Sequence, residues 1–253
     1  MSEHPNFEII NGILKKYHGR EEEIHLADGI TEIAESAFSD CKELKKITLA
    51  PSVKKIGTGA FGMCENLECV ILSENLTEIE KAAFFKCRNL SEIALPERLE
   101  KIGNCAFFGC SGLKSISVPE SLIMIGEYAF GGCISLKNEN GFVIVKNILF
   151  NYFGTATDIT VPQSVKKVGK EAFSWNSELN TIQFSEELTE IGEYAFLHCS
   201  SLTEINIPDG VKRIGKCAFL GCKNLKKLSL PKSLTEIGSG AFYDCPAEIV
   251  YEN

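Results

Sequence analysis

One short unit, Ala-Phe-x-x-Cys, returns at a fixed 23-residue step, and that period decides what the chain can fold into. It stands at Ala37-Phe38 with Cys41, Ala60-Phe61 with Cys64, Ala83-Phe84 with Cys87, Ala106-Phe107 with Cys110 and Ala129-Phe130 with Cys133. After one irregular interval it resumes at Ala172-Phe173, where Asn176 takes the cysteine place. It then runs on through Ala195-Phe196, Ala218-Phe219 and Ala241-Phe242 with Cys199, Cys222 and Cys245. A unit this short cannot bury an apolar face alone, so it must stack on its neighbours. The expected architecture is a repeat solenoid with no separate globular domain.

The stretch from Leu44 to Asn66 shows how one coil is built. Ile47 and Leu49 alternate with polar residues, the period of a half-buried strand. A proline or small residue follows, held elsewhere by Pro96, Pro119, Pro162, Pro208 and Pro231. Proline has no N–H and a fixed φ, so it ends the strand and turns the chain. Val53 and Ile56 begin a second short extended segment. Gly57 closes it, repeated as Gly103, Gly126, Gly169, Gly192, Gly215 and Gly238; glycine there serves a positive φ or a tight corner. Ala-Phe-x-x-Cys then reads as one brief helical or 3-10 turn. Stacking at strand spacing, about 4.8 Å, would align the phenylalanines into a spine.

The irregular interval, from Phe130 to Phe173, is informative. Phe7 to Phe38 aligns with Phe142 to Phe173 without a gap, at an offset of 135 residues. Each stretch opens with two alternating segments. Asn11-Gly12 between the first pair is a strong hairpin signal, and Lys146-Asn147 is its weaker counterpart. Two modules are therefore expected, 1–136 and 137–253, in one continuous solenoid. The first hairpin caps an end of the core; the second is either accommodated in the stack or projects from it. Ile249-Val250-Tyr251 reads as a last edge strand, blunted by Glu252-Asn253.

Composition narrows the function classes. A net charge of −8 without a basic patch argues against nucleic acid. No apolar run approaches the roughly 18 residues of a membrane-spanning helix. The start of the chain, Met1 to Phe7, lacks the order of a secretory signal; either the protein stays in the cytosol or a leader has been removed. Of eleven cysteines, eight stand at the repeat position, and Asn176 fills one further such place, so a reduced, packed ladder is expected over disulfides. Three Cys-x4-Cys pairs, Cys64/Cys69, Cys105/Cys110 and Cys217/Cys222, lack four convergent ligands, and no metal site is expected. His4, His18, His25 and His198 pair with no recurrent nucleophile. There is no phosphate loop, and no cofactor or catalytic residue is expected.

The pattern L-x-x-I-x-L-P-x-S-L-x-x-I-G-x-x-A-F-x-x-C resembles the BspA-like, Treponema-type leucine-rich repeat over nearly the whole chain. The F-x-I-x-x-x-I-L-x-x-Y hairpin is similar to a segment of that family. The resemblance implies a right-handed leucine-rich-repeat superhelix, mainly short β-strands with brief turns, and no enzyme activity. It also implies a surface or secreted, adhesin-like role with a host or matrix protein as partner. The alternative is a cytosolic scaffold.

Candidate contact residues lie on the outward positions of the first strand of each coil: Lys46, Thr48, Cys69, Ile71, Glu92, Ala94, Ser115, Ser117, Thr181, Gln183, Glu204, Asn206, Lys227 and Ser229. They form either a broad protein-binding face or a solvated sheet. Cys69 would be a surface thiol. The exposed position of the second strand alternates in sign, Glu32, Lys55, Glu78 and Lys101, then Lys167, Glu190, Arg213 and Glu236. That pattern reads as register control. Ile123-Met124 interrupts it, and cover by the inserted hairpin is expected over an exposed patch. Trp175, the single tryptophan, is either an interface anchor or packed under a neighbouring loop.

Overall fold

A computed structural model describes residues 6–251. His4, most of the Met1–Phe7 stretch and Glu252-Asn253 lie outside the described residues. The chain divides into two compact units, 1–136 and 137–253, and both are β-solenoids.

In the first unit each coil contributes two short strands to two parallel ladders. One sheet runs from the hairpin Phe7–Ile10/Ile13–Tyr17 through Glu32–Ile33, Lys55–Ile56, Glu78–Ile79 and Lys101–Ile102 to Met124–Ile125. The other joins Glu23–His25, Lys46–Thr48 and Cys69–Ile71 and continues as the bridges Cys69 to Glu92 and Glu92 to Ser115. The second unit repeats the plan. Its hairpin Phe142–Val145/Ile148–Tyr152 leads through Lys167–Val168, Glu190–Ile191 and Arg213–Ile214 to Glu236–Ile237. Its second sheet contains Asp158–Thr160, Thr181–Gln183, Glu204–Asn206, Lys227–Leu230 and Glu248–Tyr251. The second hairpin does not project from its unit: Ile148 and Leu149 pair with Lys167 and Val168.

The phenylalanine spine forms. Neighbouring rings in the run Phe38, Phe61, Phe84, Phe107, Phe130 are parallel within 9° and 5.0–5.2 Å apart. Tyr17 and Phe7 extend it at 5.2 Å each. In the second unit Phe142 and Tyr152 do the same for Phe173, Phe196 and Phe219. Offset stacking adds roughly 0.5–1.5 kcal/mol per pair to the burial of each ring.

Two expectations need correction. The Ala-Phe-x-x-Cys corner is not a helix; the one 3-10 segment among the described residues is Ile134–Leu136. Its N–H groups alternate instead. Those of Ser36, Phe38 and Asp40 donate to carbonyls of the next coil, at Thr58, Ala60 and Gly62, while Ala37, Ser39 and Cys41 donate three residues back. Stacking takes half the bonds a helix would need. Two left-handed residues per coil make this geometry, as Ser36 (φ 54°) and Asp40 (φ 61°) do in the first.

The glycines at Gly57, Gly103 and their equivalents do not supply those positive φ values. They permit contact. A Cβ on Gly103 would lie 2.5 Å from the Lys81 nitrogen and 2.7 Å from the Glu80 carbonyl carbon. The Gly103 N–H donates to the Ile79 carbonyl at 2.8 Å, and the same bond forms at 2.9 Å from Ala34 and Glu80, which hold the glycine place in their coils. The demand on these glycines is the close approach of neighbouring coils, not a positive φ.

Candidate interaction surface

The first-strand positions fall into register as the repeat spacing requires. In the first unit Glu23, Lys46 and Cys69 lie side by side, with His25, Thr48 and Ile71 two residues along. Glu92 and Ser115 extend the row. Lys46, Thr48 and Cys69 are half-buried, so Cys69 is only partly at the surface, whereas Ile71, Glu92 and Ser115 are exposed. The Lys46 ammonium meets the Glu23 carboxylate at 2.8 Å, which raises the Lys46 pKa and lowers that of Glu23. The Thr48 hydroxyl is buried without a hydrogen-bond partner.

In the second unit Asp158, Thr181, Glu204, Lys227 and Glu248 align across five strands. Thr181 donates to Asp158 at 2.6 Å and Asn180 does so at 3.2 Å. These bonds, with Thr157, hold the Asp158 carboxyl below its usual range. Thr181, Gln183, Glu204, Asn206 and Lys227 line one open groove of about 670 Å³, joined there by Glu186 and Asp209. The two acids were not among the expected residues. They sit in the turn after the strand, where the alternation that marks a strand face gives no signal.

The second-strand ladder forms as the sign alternation implies. Lys55 pairs with Glu78 at 3.6 Å and Lys101 with Glu78 at 3.9 Å. Glu190 meets Lys167 at 3.1 Å and Arg213 at 3.2 Å, and Arg213 meets Glu236 at 3.1 Å. Glu80, which stands in the glycine place of its coil and outside the alternating pattern, joins the ladder. Its carboxylate reaches Lys55 at 3.3 Å and Lys101 at 3.0 Å. Burial raises its pKa, but bonds to Lys101 and Lys55 outweigh burial and leave it lowered. Ile123 and Met124, expected to be covered, are 84% and 53% exposed; Met124–Ile125 is the last strand of its sheet. Trp175 is 69% exposed, its ring resting on His198 at 4.3 Å.

The interior cysteines are unpaired and act as donors. Cys64, Cys87, Cys110 and Cys133 each give a thiol hydrogen bond, at 3.0–3.1 Å, to the carbonyl of the phenylalanine 26 residues earlier. Asn176 solves its place differently: its side-chain oxygen accepts from the Glu178 and Leu179 N–H groups. Among the described residues no group of three or more His, Cys, Asp or Glu could hold a metal ion, and no helix is long and apolar enough to cross a membrane.

A model of the BspA type leucine rich repeat region matches residues 16–137 and 143–251, in six copies. No curated protein matches the chain. Among solved structures, a leucine-rich repeat protein from Eubacterium ventriosum is 24% identical, with a TM-score of 0.61 over 95% of this chain and 78% of that one. A leucine rich cell surface protein from Faecalibacterium prausnitzii is 23% identical, with a TM-score of 0.51 over 100% and 94% of the two chains. The pneumococcal vaccine antigen PcpA is 20% identical, with a TM-score of 0.53 over 92% and 69%. At these identities the shared property is the fold. With the repeat model covering both units, the chain belongs to the BspA-type leucine-rich-repeat family.

Proposed function

We propose that this chain is a non-enzymatic protein-interaction module that works at the cell surface, adhesin-like, through its first-strand face. The observation that carries the reading is the groove along Thr181, Gln183, Glu204, Asn206 and Lys227. It presents side chains that differ from coil to coil on a backbone that does not. A solenoid interior is fixed by stacking, so variation collects on such a face. The cell surface protein and the vaccine antigen of like fold are consistent with an exposed location.

Immobilised protein exposed to matrix proteins should retain a partner. Joint reversal of Lys46, Glu92, Glu204 and Lys227 to the opposite charge should weaken that retention at least about tenfold, since like-charge juxtaposition costs several kcal/mol across an interface. Undiminished retention would remove the face from consideration. A cytosolic scaffold is the second reading, favoured by eleven cysteines without a bridge; titration of the unfolded chain without reductant should then find eleven thiols.

A further inference from the structure

We propose that a second pocket, beside Trp175, takes a basic side chain, arginine or lysine, from a protein partner. This deepens the protein-interaction reading above and rests on it.

The pocket arises from the hairpin. The Ile148–Tyr152 strand ends in a loop where an ordinary coil would have its corner. The next corner, at residues 171–178, therefore lacks a regular neighbour on that side. A cavity of about 410 Å³ remains, lined by Asn151, Thr155, Glu171, Ser174, Trp175 and Glu178 among others, with no Lys, Arg or His in its wall. Glu171 and Glu178 make no ion pair with a described residue, and Glu178 accepts one neutral bond, from the Ser177 hydroxyl at 3.2 Å. The Ser174 hydroxyl is buried and has no hydrogen-bond partner. The exposed indole of Trp175 stands at the rim and is backed by His198.

The first unit supplies an internal comparison, because the same residues recur 135 positions earlier. There the places of Asn151, Thr155, Glu171 and Trp175 are held by Lys16, Arg20, Ser36 and Asp40. Lys16 fills its own site by donating to the Ser36 carbonyl at 2.9 Å. The second unit has thus lost both cations, kept one acid (Glu43 becoming Glu178), gained another at Glu171 and replaced Asp40 with an aromatic plate. An aromatic face beside two unneutralised carboxylates attracts a cation by its quadrupole and by charge. A planar guanidinium can stack on the ring while its N–H groups face the acids. A neutral ligand would leave the charge of both carboxylates unmatched.

Trp175 is the only tryptophan, so its fluorescence reports this pocket alone. Titration of the full chain at low salt with N-acetyl-arginine amide should give a saturable change in emission. N-acetyl-citrulline amide, equal in shape and uncharged, should give none. The double variant Glu171→Gln, Glu178→Gln should bind the arginine probe about tenfold more weakly, each exposed carboxylate contributing a factor of a few. Added salt to about 0.5 M should weaken binding by a similar factor. The proposal is overturned if the arginine probe gives no saturable change, if citrulline matches it, if methyl glucoside binds in its place, or if the double variant binds unchanged. A chain that retains a partner through the strand face yet ignores arginine keeps the interaction reading and loses only this pocket. Arginine binding with no partner retained has the opposite meaning.

Discussion

The thiol of Cys110 donates to the carbonyl of Phe84, 3.1 Å away and one coil back. Both residues are fully buried. The bond explains why a cysteine rather than an alanine or valine recurs at this place: the corner leaves the phenylalanine carbonyl facing inward, and only a small donor fits. Cys110→Ala removes the donor and opens a small void. It should lower stability by about 1–3 kcal/mol, measured by urea denaturation. A loss below a few tenths would mean that the thiol only fills space.

The same ladder predicts how the fold responds to alkali. Burial pushes the Cys199 thiol up from 9.0 to about 12, and raises Cys133 and Cys222 as well. The folded chain thus holds protons that the unfolded chain releases above pH 9. This contribution is complete below pH 9 and is lost as pH rises toward 12, by about 1.4 kcal/mol per pH unit for each thiol. Melting temperature should fall steeply over that window, and less steeply in Cys199→Ala, Cys222→Ala. Equal slopes would show that other groups govern alkaline unfolding.

Two glycines separate two kinds of constraint. Gly103→Ala sets a Cβ 2.5 Å from the backbone of the preceding coil, so the two coils must part there, as they already do around Glu80 at the same place of its coil. We expect a cost of about 2–3 kcal/mol. Gly59→Ala meets nothing nearer than 3.5 Å and carries only the left-handed penalty of φ 59°, about 1–2 kcal/mol. Calorimetry on the two variants should rank them in that order; the reverse would place the demand in φ after all.

Those glycines also mark where the sequence was legible and where it was not. Period, strands, spine and charge ladder follow from alternation and spacing, because each coil obeys the same local rules as its neighbours. A glycine column has two physical explanations, and nothing local chooses between them; the choice depends on the distance to the next coil. The left-handed corner positions were hidden because residues as different as Ala82, Lys86, Tyr128 and Trp175 occupy them, held there by inter-coil bonds. Glu80 was overlooked for standing in a glycine place, and its partners lie one coil away on either side. The strand positions of the groove, Thr181, Gln183, Glu204, Asn206 and Lys227, follow from the repeat, but Glu186, Asp209 and the pocket at Trp175 belong to turns and to a broken repeat, where periodicity carries no information.

Glu78 and Glu80 together answer Lys55 and Lys101. Glu78→Lys would set three cations in a row on adjacent strands, and should destabilise the fold by about 1–2 kcal/mol, losing favourable pairs and gaining repulsive ones. Because these side chains are partly exposed, about half of that penalty should vanish in 0.5 M salt. The pH arm has a definite sign. The Glu80 pKa is lowered in the fold from 4.5, so its contribution is present above pH 4.5 and is lost as pH falls through the folded value. Glu80→Gln should therefore flatten the acid limb of the stability curve without changing its alkaline limb. A variant that melts in parallel with the parent from neutral pH down to pH 3 would remove Glu80 from the ladder's electrostatics and leave it a surface carboxylate that replaces a glycine.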